Sequence, residues 1–238
     1  VSNDQYSVAV PFYDLWHEDG HVPEIRELLP PLLKGVRRSV VEIGAGTGLI
    51  TRVIARATPA EIFAVEPALA MRSVLLSRLA EDPDLLERVT VLACGAHDVV
   101  LAEPAEAIVM ISVLYGFGRA ERERLWPVLA RSLEPGGLLL FNHRERPQAE
   151  PGEMELMGSY RVGRHTYQVR GQVLEVSGET SRYRHLYQIT QDGALISEDE
   201  VLGETHRPTT ARLRAELEAA GFVPDDAPDG MQAWRRAG

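Results

Sequence analysis

Apolar positions along the chain change period twice, and the changes divide it into stretches with different expected structure. In residues 5 to 35 the spacing is helical: Val10, Tyr13 and Trp16 recur every three positions, with Leu15 adjacent, and Ile25, Leu28, Leu29 and Leu32 form a second stripe. Two helices are predicted, with Pro11 and Pro23 at or near helix starts, where a missing N–H costs little, and an interruption at Pro30-Pro31. From Ser39, strand and helix patterns alternate as in a parallel sheet. Strands are expected at about 39–43, 61–66, 88–93, 107–112 and 138–143, with helices at about 47–57, 68–81 and 119–133. Pro147 to Gly158 reads as a linker. Residues 160 to 206 then alternate with period two, punctuated by Gly163, Gly171, Gly178 and Asp192-Gly193, which predicts about four antiparallel strands. A helix from Thr209 or Thr210 to Ala220, ended by Gly221, and a hairpin turning at Asp229-Gly230 close the chain.

The chemistry concentrates in "SVVEIGAGTGLITRVIARA", Ser39 to Ala57. Val40, Val41 and Ile43 suit a strand buried on both faces, and Leu49, Ile50, Val53, Ile54 and Ala57 have helical spacing. Between them, Gly44-Ala45-Gly46-Thr47-Gly48 lets the backbone approach a ligand and leaves N–H groups free at the helix start. A dinucleotide fingerprint, G-x-G-x-x-G, would need a third glycine where Leu49 stands. The pattern is instead E-x-G-x-G-x-G, led by Glu42, with a second acid, Glu66, closing the next apolar strand in "EIFAVEP".

These motifs resemble those of the class I S-adenosylmethionine-dependent methyltransferases, as does the acid-Pro-Gly-Gly turn in "LEPGGLLLFNH". Motif density is good over residues 39 to 143. "FYDLWH" and "ETHRPTTARL" carry a narrower similarity to small-molecule members, the amino-sugar N-methyltransferases among them. The resemblance implies an α/β, Rossmann-like sheet with an N-terminal helical lid over residues 1–38 and a cofactor-binding core over 39–146. It further implies an antiparallel β insertion over 147–208, on the substrate side or at a dimer face, and a C-terminal helix and hairpin over 209–238 that complete the core.

Carried over by position, Gly44, Ala45 and Gly46 would line the methionine end of S-adenosylmethionine, and Glu66 would accept both ribose hydroxyls. Pro67 and Met71 would lie against adenine. The family's acid after strand three has no counterpart at the expected place, which falls on Gly95 or Ala96. Backbone groups there, with His97 nearby, are the favoured adenine contact; the alternative is Asp98 reaching back. Ser112 would stand at the cofactor rim, with Tyr115 and Phe117 walling the substrate or packing in the core. Tyr6, Tyr13, Trp16 and His17 are the lid groups best placed to face a ligand. Asn142, His143, Arg144 and Glu145 share the carboxyl edge of strand five, where open α/β sheets bind ligands. His17 and His143 have the pKa range of a base, and Tyr13 and Tyr115 could orient the acceptor.

Composition bears on the partner. A net charge of −10, with Lys34 the only lysine, disfavours a nucleic acid or an anionic membrane. Cys94 is the only cysteine, so no internal disulfide forms and a reducing, cytoplasmic setting is expected. The first twenty residues show neither a basic n-region nor a long apolar core. The longest uncharged stretch, 107–118, falls short of the ~18 residues of a membrane span. No metal-ligand spacing stands out. The expectation is a monomeric or homodimeric enzyme methylating a small-molecule acceptor of secondary metabolism, at an amine nitrogen. O- or C-methylation is the alternative, and a peptide acceptor stays open. A nicotinamide-dependent oxidoreductase and a non-catalytic cofactor-binding protein are the readings of other classes.

Overall fold

The computed structural model describes residues 3–148 and 150–238, with backbone alone for 3–5. Two helices, α1 (Asn3–Asp19) and α2 (Val22–Leu32), lead into strands β1 (Ser39–Ile43), β2 (Glu61–Val65), β3 (Val89–Leu92), β4 (Ala105–Met110) and β5 (Leu133–Asn142). Helices α3 (Leu49–Ala57), α4 (Leu69–Ala80), α5 (Pro83–Arg88) and α6 (Arg119–Ser132) lie between them. Strands β6 (Glu155–Val162), β7 (His165–Ser177), β8 (Thr180–Gln191) and β9 (Ala194–His206) follow, then α7 (Thr210–Ala219), β10 (Phe222–Asp225) and β11 (Met231–Arg236).

The core sheet has seven strands in the order β10-β11-β5-β4-β1-β2-β3. Its first five strands run parallel, and β11 pairs antiparallel with both β5 and β10. Consecutive residues bury on opposite faces. Val40, Ile62, Val109 and Leu140 pack beneath α2, α3 and α4, whereas Val41, Val65, Ile108 and Phe141 pack against α6 and α7. Covering both faces is what makes these strands read as continuous apolar runs. The second sheet, β6-β7-β8-β9, is wholly antiparallel.

Several boundaries differ from expectation. Pro11 lies inside α1, and Pro30 and Pro31 lie inside α2, which continues to Leu32. Packing of Phe12, 3% exposed, and Leu29, fully buried, overrides the local cost of the missing N–H groups. Helix α5 was not expected. Asp82 caps it, its Oδ1 accepting from Asp84 N at 3.1 Å, and Pro83 opens it. The Pro-Gly-Gly segment is not a turn before β5 but part of it, kinked at Gly136 (φ 77°), with a register shift opposite Ala105 to Ala107. Gly171 sits within β7 rather than at a turn; a Cβ there would meet Met157 Sδ at 2.2 Å.

Among the described residues no helix is long and apolar enough to cross a membrane, and no group of three or more His, Cys, Asp and Glu could hold a metal ion.

Candidate active site

At the end of β1 the backbone turns through Gly44 (φ 71°) and Gly46 (φ 58°), conformations that side chains rarely adopt. Space is also restricted: a Cβ on Gly44 would come within 2.5 Å of Val113 Cγ2, and one on Gly46 would lie 3.4 Å from the Tyr13 hydroxyl. The N–H groups of Gly44 and Ala45 donate to Val65 O at 2.8 and 3.0 Å, drawing the turn across the end of β2. There Glu66 accepts from Gly46 N at 2.9 Å and from Ala68 N at 2.8 Å. Glu42, 2% exposed on β1, accepts from Thr51 Oγ1 at 2.6 Å. Burial pushes the Glu42 carboxyl up to about 8, the Thr51 hydrogen bond opposing and the Glu66 charge adding to the shift. Burial raises Glu66 too, against the bonds from Ala68 and Gly46.

Two buried carboxyls in one another's field resist the second negative charge, so a cationic ligand relieves the site and a pyrophosphate aggravates it. Sulfonium and ammonium groups fit this donor set; against a dinucleotide stands Leu49 in place of the fingerprint's third glycine.

Helix α1 lies over the turn. Asp14 accepts from Thr47 Oγ1 at 2.5 Å and pairs with Arg78 of α4, which fastens the helix to the glycine turn and to its neighbour. Burial and then the Glu66 charge raise the Tyr6 phenol; burial, Tyr6 and Glu66 raise Tyr13. Both hydroxyls therefore stand protonated beside the acid. The other side of α1 packs on the insertion sheet, with Phe12 at 5.2 Å from Tyr167 and 5.1 Å from Tyr187 between ring centroids, and Trp16 edge-on to His185. Burial holds His185 down at about 4.

Beyond β3, a single helical turn spans Ala96–Asp98. The Asp98 carboxylate folds back, its Oδ2 3.2 Å from where a Gly95 Cβ would stand. His97 faces away: its Nε2 lies 3.0 Å from Glu121 O and its ring meets Phe117 edge-on. Met71 is buried, Pro67 is exposed, and Arg72 Nη1 donates to the carbonyls of Glu66 and Pro67 at 2.9 and 2.6 Å.

The carboxyl ends of β4 and β5 open on a cavity of about 830 Å³. Tyr115, Asn142 and His143 line it from the core, His21 and Glu24 from the start of α2, Thr180 from the insertion, and Arg207 and Arg212 beside α7. Ser112, at φ 60°, is a non-glycine residue in the left-handed region at this edge. Its N–H donates to Asn142 Oδ1 at 2.6 Å, tying the two strand ends together. His143 is 4% exposed, with Nδ1 3.4 Å from the Tyr115 hydroxyl and Nε2 3.3 Å from Thr210 Oγ1. Burial lowers its pKa. Arg144 pairs with Glu24 of α2 at 3.1 Å and with Asp229 at 2.8 Å, and Glu145 accepts from Thr210 N at the start of α7 at 2.9 Å, so both are engaged in holding neighbouring elements.

His143 and Tyr115 are thus brought together on the cavity wall, whereas Tyr13 lies at the glycine turn. His17 reaches the cavity only through a residue the sequence analysis passed over, His21, whose Nδ1 is 3.3 Å from His17 Nδ1. The signal available was the four-residue spacing of the two histidines across a helix end.

A glycine turn beside two buried acids under helix α1, and a cavity at the carboxyl edge of this sheet, agree with the arrangement expected of a class I S-adenosylmethionine-dependent methyltransferase. Residues 40–137 match the family described as a methyltransferase domain. No curated protein matches the chain in sequence. The sugar N-methyltransferase KedS8 from a Streptoalloteichus species shares the fold at 19% identity, with a TM-score of 0.73 over 95% of this chain and 93% of that one. The CcbJ methyltransferase from Streptomyces caelestis aligns over the whole of both chains, 100% each, at 16% identity and a TM-score of 0.81. CalS10, an amino pentose methyltransferase from Micromonospora echinaspora solved with S-adenosylmethionine bound, aligns at 18% identity over 93% of this chain and 92% of that one, with a TM-score of 0.72.

Proposed function

We propose that the protein methylates an amine nitrogen of a small-molecule acceptor, a secondary metabolite, in the cytoplasm. The observation that carries this reading is the cavity of about 830 Å³ at the carboxyl edge, on whose wall burial lowers the pKa of His21 and His143. Two neutral imidazoles there could take the one proton that an ammonium acceptor must lose; the similarity to sugar and amino pentose N-methyltransferases points the same way. The volume suits a small acceptor rather than a folded partner.

When bound, S-adenosylmethionine supplies a methyl group on a sulfonium, already a good leaving group. The chain's own residues then have three tasks. Glu66 would accept the ribose hydroxyls, exchanging its bond from Gly46, and Gly44, Ala45 and Gly46 would line the methionine end. Pro67 and Met71 would flank adenine, with Gly95 and Ala96 beside it and His97 turned outward. Asp98, whose Oδ2 lies 3.2 Å from where a Gly95 Cβ would stand, would take the adenine amine. Tyr13, under the lid, and Tyr115, braced by His143, would orient the acceptor, while α1 excludes water. Positioning in a dry pocket supplies most of the acceleration.

The test is methyl transfer from methyl-labelled S-adenosylmethionine to a panel of amino sugars and their hydroxyl counterparts. Label on the amino members alone is expected. Label on the hydroxyl compounds would replace this reading with O-methylation.

A further inference from the structure

We infer that His21 and His17 form a proton-accepting pair on the acceptor cavity, His21 receiving the amine's proton and His17 accepting a hydrogen bond from His21, a role that rests on the amine reading above. Three side chains spaced four residues apart run from the glycine turn to the cavity. Tyr13 stands over Gly46; its ring is 4.1 Å from that of His17, whose ring is 4.9 Å from that of His21, on the cavity wall. The two imidazoles meet through their Nδ1 atoms at 3.3 Å, so one must donate and the other accept.

Only one arrangement leaves His21 useful. If His21 carries its proton on Nδ1 and donates to His17, its Nε2 is a bare lone pair. That lone pair takes a proton from the acceptor's ammonium group, which frees the nitrogen's pair to form the N–C bond as the C–S pair leaves on sulfur. The resulting His21 imidazolium donates more strongly to His17 Nδ1, which stabilises it as an orienting partner does in other acid–base pairs. His17 carries its own proton on Nε2 throughout. The opposite arrangement would put a proton on His21 Nε2, where it could accept nothing.

The surroundings keep the pair neutral at rest. Burial, then His21, lowers His17 to about 4 against the nearby Asp14 carboxylate; burial lowers His21 against Glu24. The groups facing the pair are Tyr13, Asp14 and Trp16 on α1, Glu24 on α2, and Arg144, whose Nη2 holds Glu24 at 3.1 Å. From the insertion, His185 reaches it only across Trp16. Glu24 and Asp14 are the charges that would welcome the transferred proton.

The experiment is long-range proton–nitrogen NMR on histidine-labelled full-length protein saturated with S-adenosylhomocysteine. At pH 7, His21 should be the Nδ1–H tautomer and His17 the Nε2–H tautomer, and in His17→Gln the His21 preference for Nδ1–H should be lost. His21 found with its proton on Nε2 overturns the pair, whatever the fate of methyl transfer. Rates on the amino sugar that accepts label give the second reading. His21→Gln should lower kcat by about tenfold to a hundredfold at pH 6.5 and by much less at pH 9, where the amine is already deprotonated, with S-adenosylhomocysteine affinity kept. An equal loss at both pH values, or none, overturns the role. Should S-adenosylhomocysteine bind and no amino sugar accept label, the amine reading fails and takes this one with it. His21→Asn, checked by the same cofactor affinity, covers a glutamine variant that does not fold.

Discussion

Glu66 is tied directly to the glycine turn, its two oxygens held by the N–H groups of Gly46 and Ala68 at 2.9 and 2.8 Å. Its replacement, Glu66→Ala, should weaken S-adenosylhomocysteine binding by about 1.5–3 kcal/mol, the scale of hydrogen bonds to a charged group, and leave a folded protein by circular dichroism. Unchanged affinity by calorimetry would remove Glu66 from the ribose. Gly44→Ala should do worse, since a Cβ there combines a positive φ with a 2.5 Å approach to Val113. A loss of about 1–3 kcal/mol in stability is expected from denaturant unfolding, along with weakened cofactor binding. Glycine spacing and the placement of Glu42 and Glu66 were legible in the sequence because a backbone that bends left-handed and a carboxylate at a strand end leave a local trace. His21 left none. Its position depends on how the α1–α2 corner meets the ends of β4 and β5, a contact between parts of the chain far apart in sequence.

Among elements, α1 is joined to the core by a partly buried ion pair and the insertion by a buried arginine. Asp14 holds α1 to Thr47 and Arg78. Asp14→Ala should leave the sheet intact yet speed release of S-adenosylhomocysteine several-fold in stopped-flow exchange; an unchanged rate would separate the helix from cofactor exchange. On the opposite face, Arg122, fully buried, bonds Glu179 of the β7–β8 turn at 2.9 Å and Glu216 of α7 at 3.0 Å, and Glu216 also accepts from Trp126 Nε1. Removing it strands two carboxylates, so Arg122→Ala should cost about 3–5 kcal/mol in urea unfolding, against little for a surface arginine such as Arg119. Periodicity disclosed the alternating core and the insertion's strands well, since each face is buried on one side with a regular repeat. It failed at α5, at the kinked start of β5 and at Gly171, where capping, a bulge and a side chain from the neighbouring strand decide the local geometry.

For the whole molecule, buried titratable groups set opposing slopes of stability with pH. His17 and His185, lowered to about 4, bind fewer protons folded than unfolded between that value and 6.5, so they lose stability as pH falls through this window; His21 and His143 shift the same way. Glu42, raised from 4.5 to about 8, contributes stability at low pH that is lost as pH rises towards 8. Each fully shifted group contributes up to about 1.4 kcal/mol per pH unit. Ligand-free stability should therefore peak at about pH 6–7, and a cationic ligand should flatten the alkaline side by favouring the ionised acids.

The same two acids supply the most direct measurement. At pH 7.5, isothermal calorimetry and thermal melting are run with S-adenosylhomocysteine, S-adenosylmethionine, NAD and NADP. The site built on Glu42, Glu66 and the Gly44–Gly46 turn predicts binding of the first two, with a rise in the thermal midpoint corresponding to about 2.7 kcal/mol at a hundredfold excess over Kd. It predicts no response to either dinucleotide. A shift with NAD or NADP and none with S-adenosylhomocysteine would contradict the account.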